Sequence, residues 1–165
     1  MSSVSKSKDP RVSERVLEHG AGTAVGRSGR HEYVSLLGLR SFDTAGLVKR
    51  LEEGVSFAAF ERLKRNLNVS AQDLAEVAQI TQRTLARRKK AGRLQPDESD
   101  RLVRLARVFS RAIGLFEGDA DAAQEWMMRR NRGLGGASPF DMAKTGVGAR
   151  EVENLIGRIE HGVIS

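Results

Sequence analysis

The stretch "SAQDLAEVAQITQRTLARRKKAG", residues 70–92, decides the fold. Ser70 and Thr81 each stand where an N-cap is wanted, before a short run of helix-forming residues. In the first run Leu74, Val77 and Ala78 recur at the spacing of one helix face, and Asp73 lies at the third helical position, where a carboxylate favours the positive end of the helix dipole. The second run closes on Gly92, a residue suited to a helix stop. Residues 70–92 are therefore predicted to be two short helices joined by a tight turn. Five basic side chains and no acidic one fall between residues 81 and 92. A run of cations is by itself no more than a solvated face.

Helices are predicted on both sides. Upstream, "DTAGLVKRLEEG" has Asp43 as N-cap, Leu47, Val48 and Leu51 on one face, and Gly54 to stop it. "SFAAFERLKRNLN" follows, with Ser56 as the expected cap and Phe57, Phe60, Leu63 and Leu67 at helical spacing. Downstream, "PDESDRLVRLARVFSRAIGLF" begins on Pro96 and places Leu102, Leu105, Ala106, Phe109, Ile113 and Phe116 in a core stripe. "DADAAQEWMMRRN" is a further capped helix, in which Trp126 reads as a core anchor and Met127 and Met128 as gap-fillers or interface material. After "RGLGGASP", Ser138 caps a short turn. Gly146 and Gly148 are expected to break the chain before a last helix in "AREVENLIGRIEHG". Residues 1 to about 31 offer almost nothing to bury and are expected to be disordered. The predicted organisation is all-α: a tail over 1–40, a helix-turn-helix DNA-binding and dimerisation domain over 41–116, and a small helical domain over 117–165.

The composition limits the function. There is no cysteine, and the three histidines, His19, His31 and His161, are too scattered for ligand spacing, so no metal or other cofactor is expected. No apolar run is long enough to span a membrane, which predicts a cytoplasmic protein without a membrane partner. "RGLGGAS" and "TGVGAR" are glycine-rich, yet neither follows a strand or carries a phosphate-loop lysine. No nucleophile with an evident base can be picked out, so catalysis is not expected and no catalytic residue is assigned. The net charge of +7 is concentrated in residues 56–116, while residues 117–165 are weakly acidic. This asymmetry predicts polyanion contact from the middle of the chain and a different task for its end.

Residues 70–92 resemble the helix-turn-helix of Xre-type, phage-repressor-like regulators, with Leu74-Ala75, Ile80 and Leu85 at the framework positions. The resemblance implies that the start of the second helix enters the major groove. It would aim Gln82, Arg83 and Thr84 at base edges, with Ala86, Arg87 and then Lys90 one turn later and the capping Thr81 counted among the DNA-binding residues, while Lys89, Lys90 and Arg93 more readily hold phosphates. Two positions depart from the pattern. Gln79 stands where glycine is frequent, and Arg88 where a third buried apolar residue is usual, which predicts a shorter or differently tilted recognition helix.

A wider resemblance covers roughly residues 43–165. Trp126, Leu134-Gly135-Gly136 leading to Ser138-Pro139, Gly148-Ala149 with Val152 and Glu153, and Arg158-Ile159-Glu160 with Gly162 resemble the antitoxins of RES-Xre toxin-antitoxin modules, whose carboxyl domain is shared with the ParS and MbcA antitoxins. Met142 and His161 replace the more usual Leu and Tyr. The resemblance implies a homodimer that represses its own operon through operator DNA and covers the active site of a RES-domain, NAD-degrading toxin. Leu155, Ile156 and Ile159 would anchor the last helix. Glu153, Arg158, Glu160 and His161, with the terminal Val163, Ile164 and Ser165, would meet the toxin. Two other readings fit the residues: a stand-alone repressor whose carboxyl domain dimerises or senses a ligand, and a basic RNA-binding accessory protein.

Overall fold

The computed structural model describes residues 32–40 and 43–163. The tail expected over residues 1–31, with His19 and His31, lies outside the described residues, as do Ile164 and Ser165. Within them the chain is helical: α1 (Thr44–Glu53), α2 (Phe57–Leu67), α3 (Ala71–Val77), α4 (Gln82–Ala91), α5 (Pro96–Leu115), α6 (Ala120–Met128), α7 (Pro139–Met142) and α8 (Gly146–Glu160), with 3-10 turns at Glu32–Leu37 and Arg132–Leu134.

Capping chemistry sets most of the starts. Asp43 Oδ1 accepts from the Gly46 N–H (2.8 Å), Ser70 Oγ from Asp73 (3.0 Å), Thr81 Oγ1 from Thr84 (3.2 Å), Asp119 Oδ1 from Ala122 (3.0 Å) and Ser138 Oγ from Asp141 (3.1 Å), each satisfying an N–H that the helix itself leaves open. Ser56 departs from expectation: it precedes α2 without a side-chain cap bond. The start of α2 is held by backbone instead, Phe57 N–H donating to Gly92 O and Leu94 N–H to Val55 O, both at 2.9 Å. This bridge joins segments some forty residues apart and leaves no local signature.

Helix α5 is the hub. Leu102, Leu105, Ala106, Phe109 and Ala112 are buried along it, and the amino-terminal 3-10 turn, α1, α2, α6 and α8 all pack against it. Each large apolar side chain so buried contributes about 1.5–3 kcal/mol. One apolar core runs from Leu37, Phe60 and Leu74 through Leu105 to Phe140 and Ile156 without interruption. Residues 32–40, which the sequence groups with the tail, belong to it through Val34 and Leu37, 1% and 2% exposed. Asn66 ties this turn down: its Nδ2 donates to Leu36 O (2.8 Å), while its own carbonyl accepts from Gln124 Nε2 (2.5 Å). Trp126 is half-buried at the edge of the core, its ring tilted against Phe116.

Two sequence expectations are corrected by packing. Gly146 and Gly148 do not break the chain ahead of the last helix but form its first turn, capped by Thr145 Oγ1, which accepts from Gly148 N–H at 3.0 Å. A Cβ on Gly148 would sit 1.9 Å from Met142 O, so the glycine allows the end of α7 to touch the start of α8. Arg88 does not shorten α4, which runs ten residues to Ala91. Its Nε donates to both carboxylate oxygens of Glu98 on α5 (2.8 and 3.1 Å), with the two side chains only 15% and 7% exposed. A partly buried ion pair thus fills the place of an apolar contact. The hydrogen bond that Arg88 donates to Glu98 raises the Arg88 pKa further. Glu98 Oε2 also accepts from Gln95 N–H (2.8 Å), fixing the start of α5.

Gly148→Ala should lower stability by about 1–3 kcal/mol through overpacking against backbone. Gly157→Ala, where a Cβ meets nothing within 4 Å in the interior of α8, should instead raise it by about 0.5–1 kcal/mol. Urea unfolding of the two variants checks the contrast. In the same assay Arg88→Ala should cost about 2–3 kcal/mol by leaving Glu98 without its partner. Arg88→Leu combined with Glu98→Gln should recover most of that loss.

Candidate functional site

The turn between α3 and α4 is built by hydrogen bonds that reverse the chain: Ile80 N–H donates to Ala75 O (2.8 Å) and Gln79 N–H to Glu76 O (3.0 Å), with Gln79 in the left-handed region at φ +56°. A side chain there costs on the order of 1–2 kcal/mol relative to glycine. Gln79 offsets the cost by a contact glycine lacks, its Nε2 donating to Lys144 O at 2.9 Å. Lys144 Nζ reaches back to Glu76 Oε1 at 2.6 Å, and this bond raises the Lys144 pKa and keeps the amine charged. The carboxyl half of the chain thereby grips the turn that sets the angle of α4.

Leu85 and Ile80 anchor α4 from below, 8% and 5% exposed, so its opposite face is open. Gln82, Arg83, Arg87, Lys89 and Lys90 are all exposed, with Arg83, Arg87 and Lys90 on the side away from Leu85, and the four cations make no ion pair among the described residues. Thr81 and Thr84 are occupied differently. Besides the cap, the Thr81 hydroxyl donates to Thr84 Oγ1 at 3.0 Å, so this pair shapes the start of α4. Arg93, assigned to a phosphate by the sequence, has an internal role: its Nη1 donates to Glu53 O (2.9 Å) and Gly54 O (3.2 Å) at the carboxyl end of α1. A cation there meets the negative end of a helix dipole.

The end of α8 forms the second exposed region. Leu155 and Ile156 are buried and Ile159 is half-buried, as an anchoring face requires. Arg158 and His161 are exposed, and so is Val163, at 57%. The helix stops in a turn with Gly162 at φ +67°, Val163 N–H donating to Arg158 O at 2.9 Å. Glu153 and Glu160 are not free: Glu153 accepts from Arg107 Nε at 2.6 Å and Glu160 from Arg111 Nη2 at 3.4 Å, both joining α8 to α5. The sequence missed Asn131, Arg132 and Gly133, which the fold brings beside Leu155, Arg158 and Ile159. Nothing local announces that contact. Among the described residues no group of three or more His, Asp or Glu side chains could hold a metal, and no helix is long and apolar enough to cross a membrane.

Residues 46–107 match the family described as "Antitoxin Xre-like helix-turn-helix domain", and residues 111–162 that described as "Antitoxin Xre/MbcA/ParS C-terminal toxin-binding domain". A protein of Photorhabdus laumondii named "Antitoxin Xre" is 40% identical over 116 residues, covering 70% of this chain and 78% of its own length. One of the same name from Yersinia enterocolitica is 36% identical over 130 residues, or 78% and 88% of the two chains. A third, from Pseudomonas putida, is 35% identical over 69 residues, 42% of this chain and 43% of its own. With a helix-turn-helix and a toxin-binding domain seated on one core, the chain belongs to the Xre antitoxin family.

Proposed function

We propose that this antitoxin neutralises a RES-domain toxin that degrades NAD, covering the toxin's active site with its carboxyl-terminal region, and represses its own operon by binding promoter DNA as a homodimer in the cytoplasm. The observation that carries the reading is the placement of two exposed surfaces on separate helices of one core: the cations of α4, and the end of α8 with Arg158, His161 and Val163. On α4, Gln82 and Arg83 are the side chains able to make paired hydrogen bonds to adenine and guanine edges, and Arg87 follows one turn later. Lys89 and Lys90 suit phosphates. Arg93, exposed and held to the carbonyls at the end of α1 through Nη1, keeps its other guanidinium N–H groups for a phosphate. The toxin contact is assigned to Arg158, His161 and the terminal Val163, Ile164 and Ser165. Glu153 and Glu160 join it on leaving Arg107 and Arg111.

Two variants separate the activities. Arg83→Ala with Arg87→Ala should abolish binding to the operon's own promoter while leaving the melting temperature and toxin neutralisation unchanged. Deleting residues 162–165 should have the opposite effect. Fluorescence anisotropy on promoter and random DNA, beside NAD levels in cells expressing the toxin, reads both outcomes, and parallel loss of both activities in each variant would refute the division. Replacing Lys89 and Lys90 by Ala should reduce the slope of log affinity against log salt by about 2 per protomer, or about 4 for the bound dimer at roughly one per phosphate contact, with little change in sequence preference.

A further inference from the structure

A groove of 560 Å³ opens between the 3-10 turn after α6 and the end of α8. Leu155 and Ile159 form its apolar base, and the exposed Val163 stands at its lip. Arg132 and Arg158 line it, both exposed, and among the described residues no carboxylate side chain does. The charge is local, because residues 117–165 as a whole carry more Asp and Glu than Lys and Arg. Two acidic side chains of α8, Glu153 and Glu160, are drawn to α5 by Arg107 and Arg111, which leaves Arg158 to set the sign of the groove.

The shape is set before any partner arrives. Asn131 Oδ1 accepts from Gly133 N–H at 2.9 Å, closing the turn that carries Arg132. A Cβ on Gly133 would lie 2.9 Å from Leu155 Cδ1, so the glycine lets the turn rest directly on α8. On the other side, the bond from Val163 N–H to Arg158 O holds Val163 against the groove's edge. Such preformed concave sites lose little entropy on binding.

Resting on the reading that this domain binds a toxin, we infer that the groove receives a segment of the toxin bearing apolar side chains next to one or more carboxylates. The apolar side chains cover Leu155, Ile159 and Val163, and the carboxylates pair with Arg132 and Arg158, whose planar guanidinium groups suit a two-point contact. A nucleic-acid backbone would satisfy the arginines but leave the apolar base in water, and a purely aliphatic segment would leave two guanidinium groups without anions at the rim. The groove also lies on the domain matched as toxin-binding, which extends over residues 111–162.

The test uses the full chain and the purified toxin encoded beside its gene. Arg132→Glu with Arg158→Glu should weaken toxin binding by about 100-fold, Arg158→Glu alone by about 10-fold, and Arg158→Lys much less, as for charge pairs at interfaces. Val163→Asp should also weaken it. Because these side chains are exposed and make no ion pair among the described residues, melting temperature and promoter binding should stay at wild-type values. Wild-type affinity should fall as salt is raised. If the wild type binds the toxin and the double variant binds equally well, the groove assignment is wrong while the toxin reading survives. If the wild type does not bind at all, the toxin reading falls and takes the groove with it. If the double variant instead alters the self-association of the free chain in sedimentation, with toxin affinity unchanged, the groove serves a second copy and the inference is overturned.

Discussion

The apolar face of α5 is the constraint on which both halves of the molecule depend. Leu102, Leu105, Phe109 and Ala112 are fully or almost fully buried along a single twenty-residue helix. The two family matches end and resume at residues 107 and 111, inside that helix. Neither half therefore owns a separate core, because the surface that closes the helix-turn-helix continues directly into the surface that seats α6 and α8. Ser99 shows how closely the helix start is fitted. Its fully buried Oγ accepts from Val55 N–H (2.9 Å) and donates to Gln95 O (2.7 Å), so no polar group is left open where the connection between α1 and α2 crosses α5.

Apolar burial fixes proximity, whereas the polar joints fix angle. The pairs Arg107–Glu153 and Arg111–Glu160 are open to water, and pairs of that kind contribute about 0–1 kcal/mol each. Their main effect is to choose which side of α8 faces α5. Arg88–Glu98 is more deeply placed, with one Nε–H shared between both carboxylate oxygens, so it carries more of the specification of how α4 meets α5. Gln79 belongs with it. A glycine at that turn would relieve the left-handed backbone but could not reach Lys144 O, and the angle of α4 would lose its tie to the carboxyl half.

Much of this was legible in the sequence. Asp43, Ser70, Thr81, Asp119 and Ser138 act as caps because capping is a local competition for N–H groups, decided by a side chain two or three residues away. Leu74, Ala75, Ile80 and Leu85 are buried, as the framework positions of the helix-turn-helix resemblance imply. What escaped depends on distant partners. Ser56 looks like a cap, but its helix start is held from residues 92–94. Gly148 looks like a helix breaker, yet it is selected by a carbonyl on another helix. Glu153 and Glu160 look like free acids on a polar face until α5 is laid beside them. The exposed site was legible in part: Arg83 and Arg87 lie where helical spacing puts them, while the internal role of Arg93 and the approach of Arg132 to Arg158 arise only from the tertiary fold.

Those tertiary pairings also decide where the charge of the chain resides. Along α5, Arg101 and Arg104 pair with Asp97 and Asp100 one turn earlier, and Arg107 and Arg111 pair with α8. On α2, Lys64 pairs with Glu61. Such pairs are nearly neutral beyond the screening distance of about 8 Å at physiological salt. On α4, by contrast, Arg88 alone is paired among the described residues, leaving Arg83, Arg87, Lys89 and Lys90 uncompensated on one exposed stretch. Helix α4 therefore presents the densest run of unpaired cations at close range, beside the exposed Arg62 and Arg65 of α2, although the excess of cations is spread through the sequence from α2 to α5. Converting a diffuse excess into a local one requires the acids of α5 and α8 to be in place, so the packing that buries Leu105 and Ile156 also focuses the positive charge on α4.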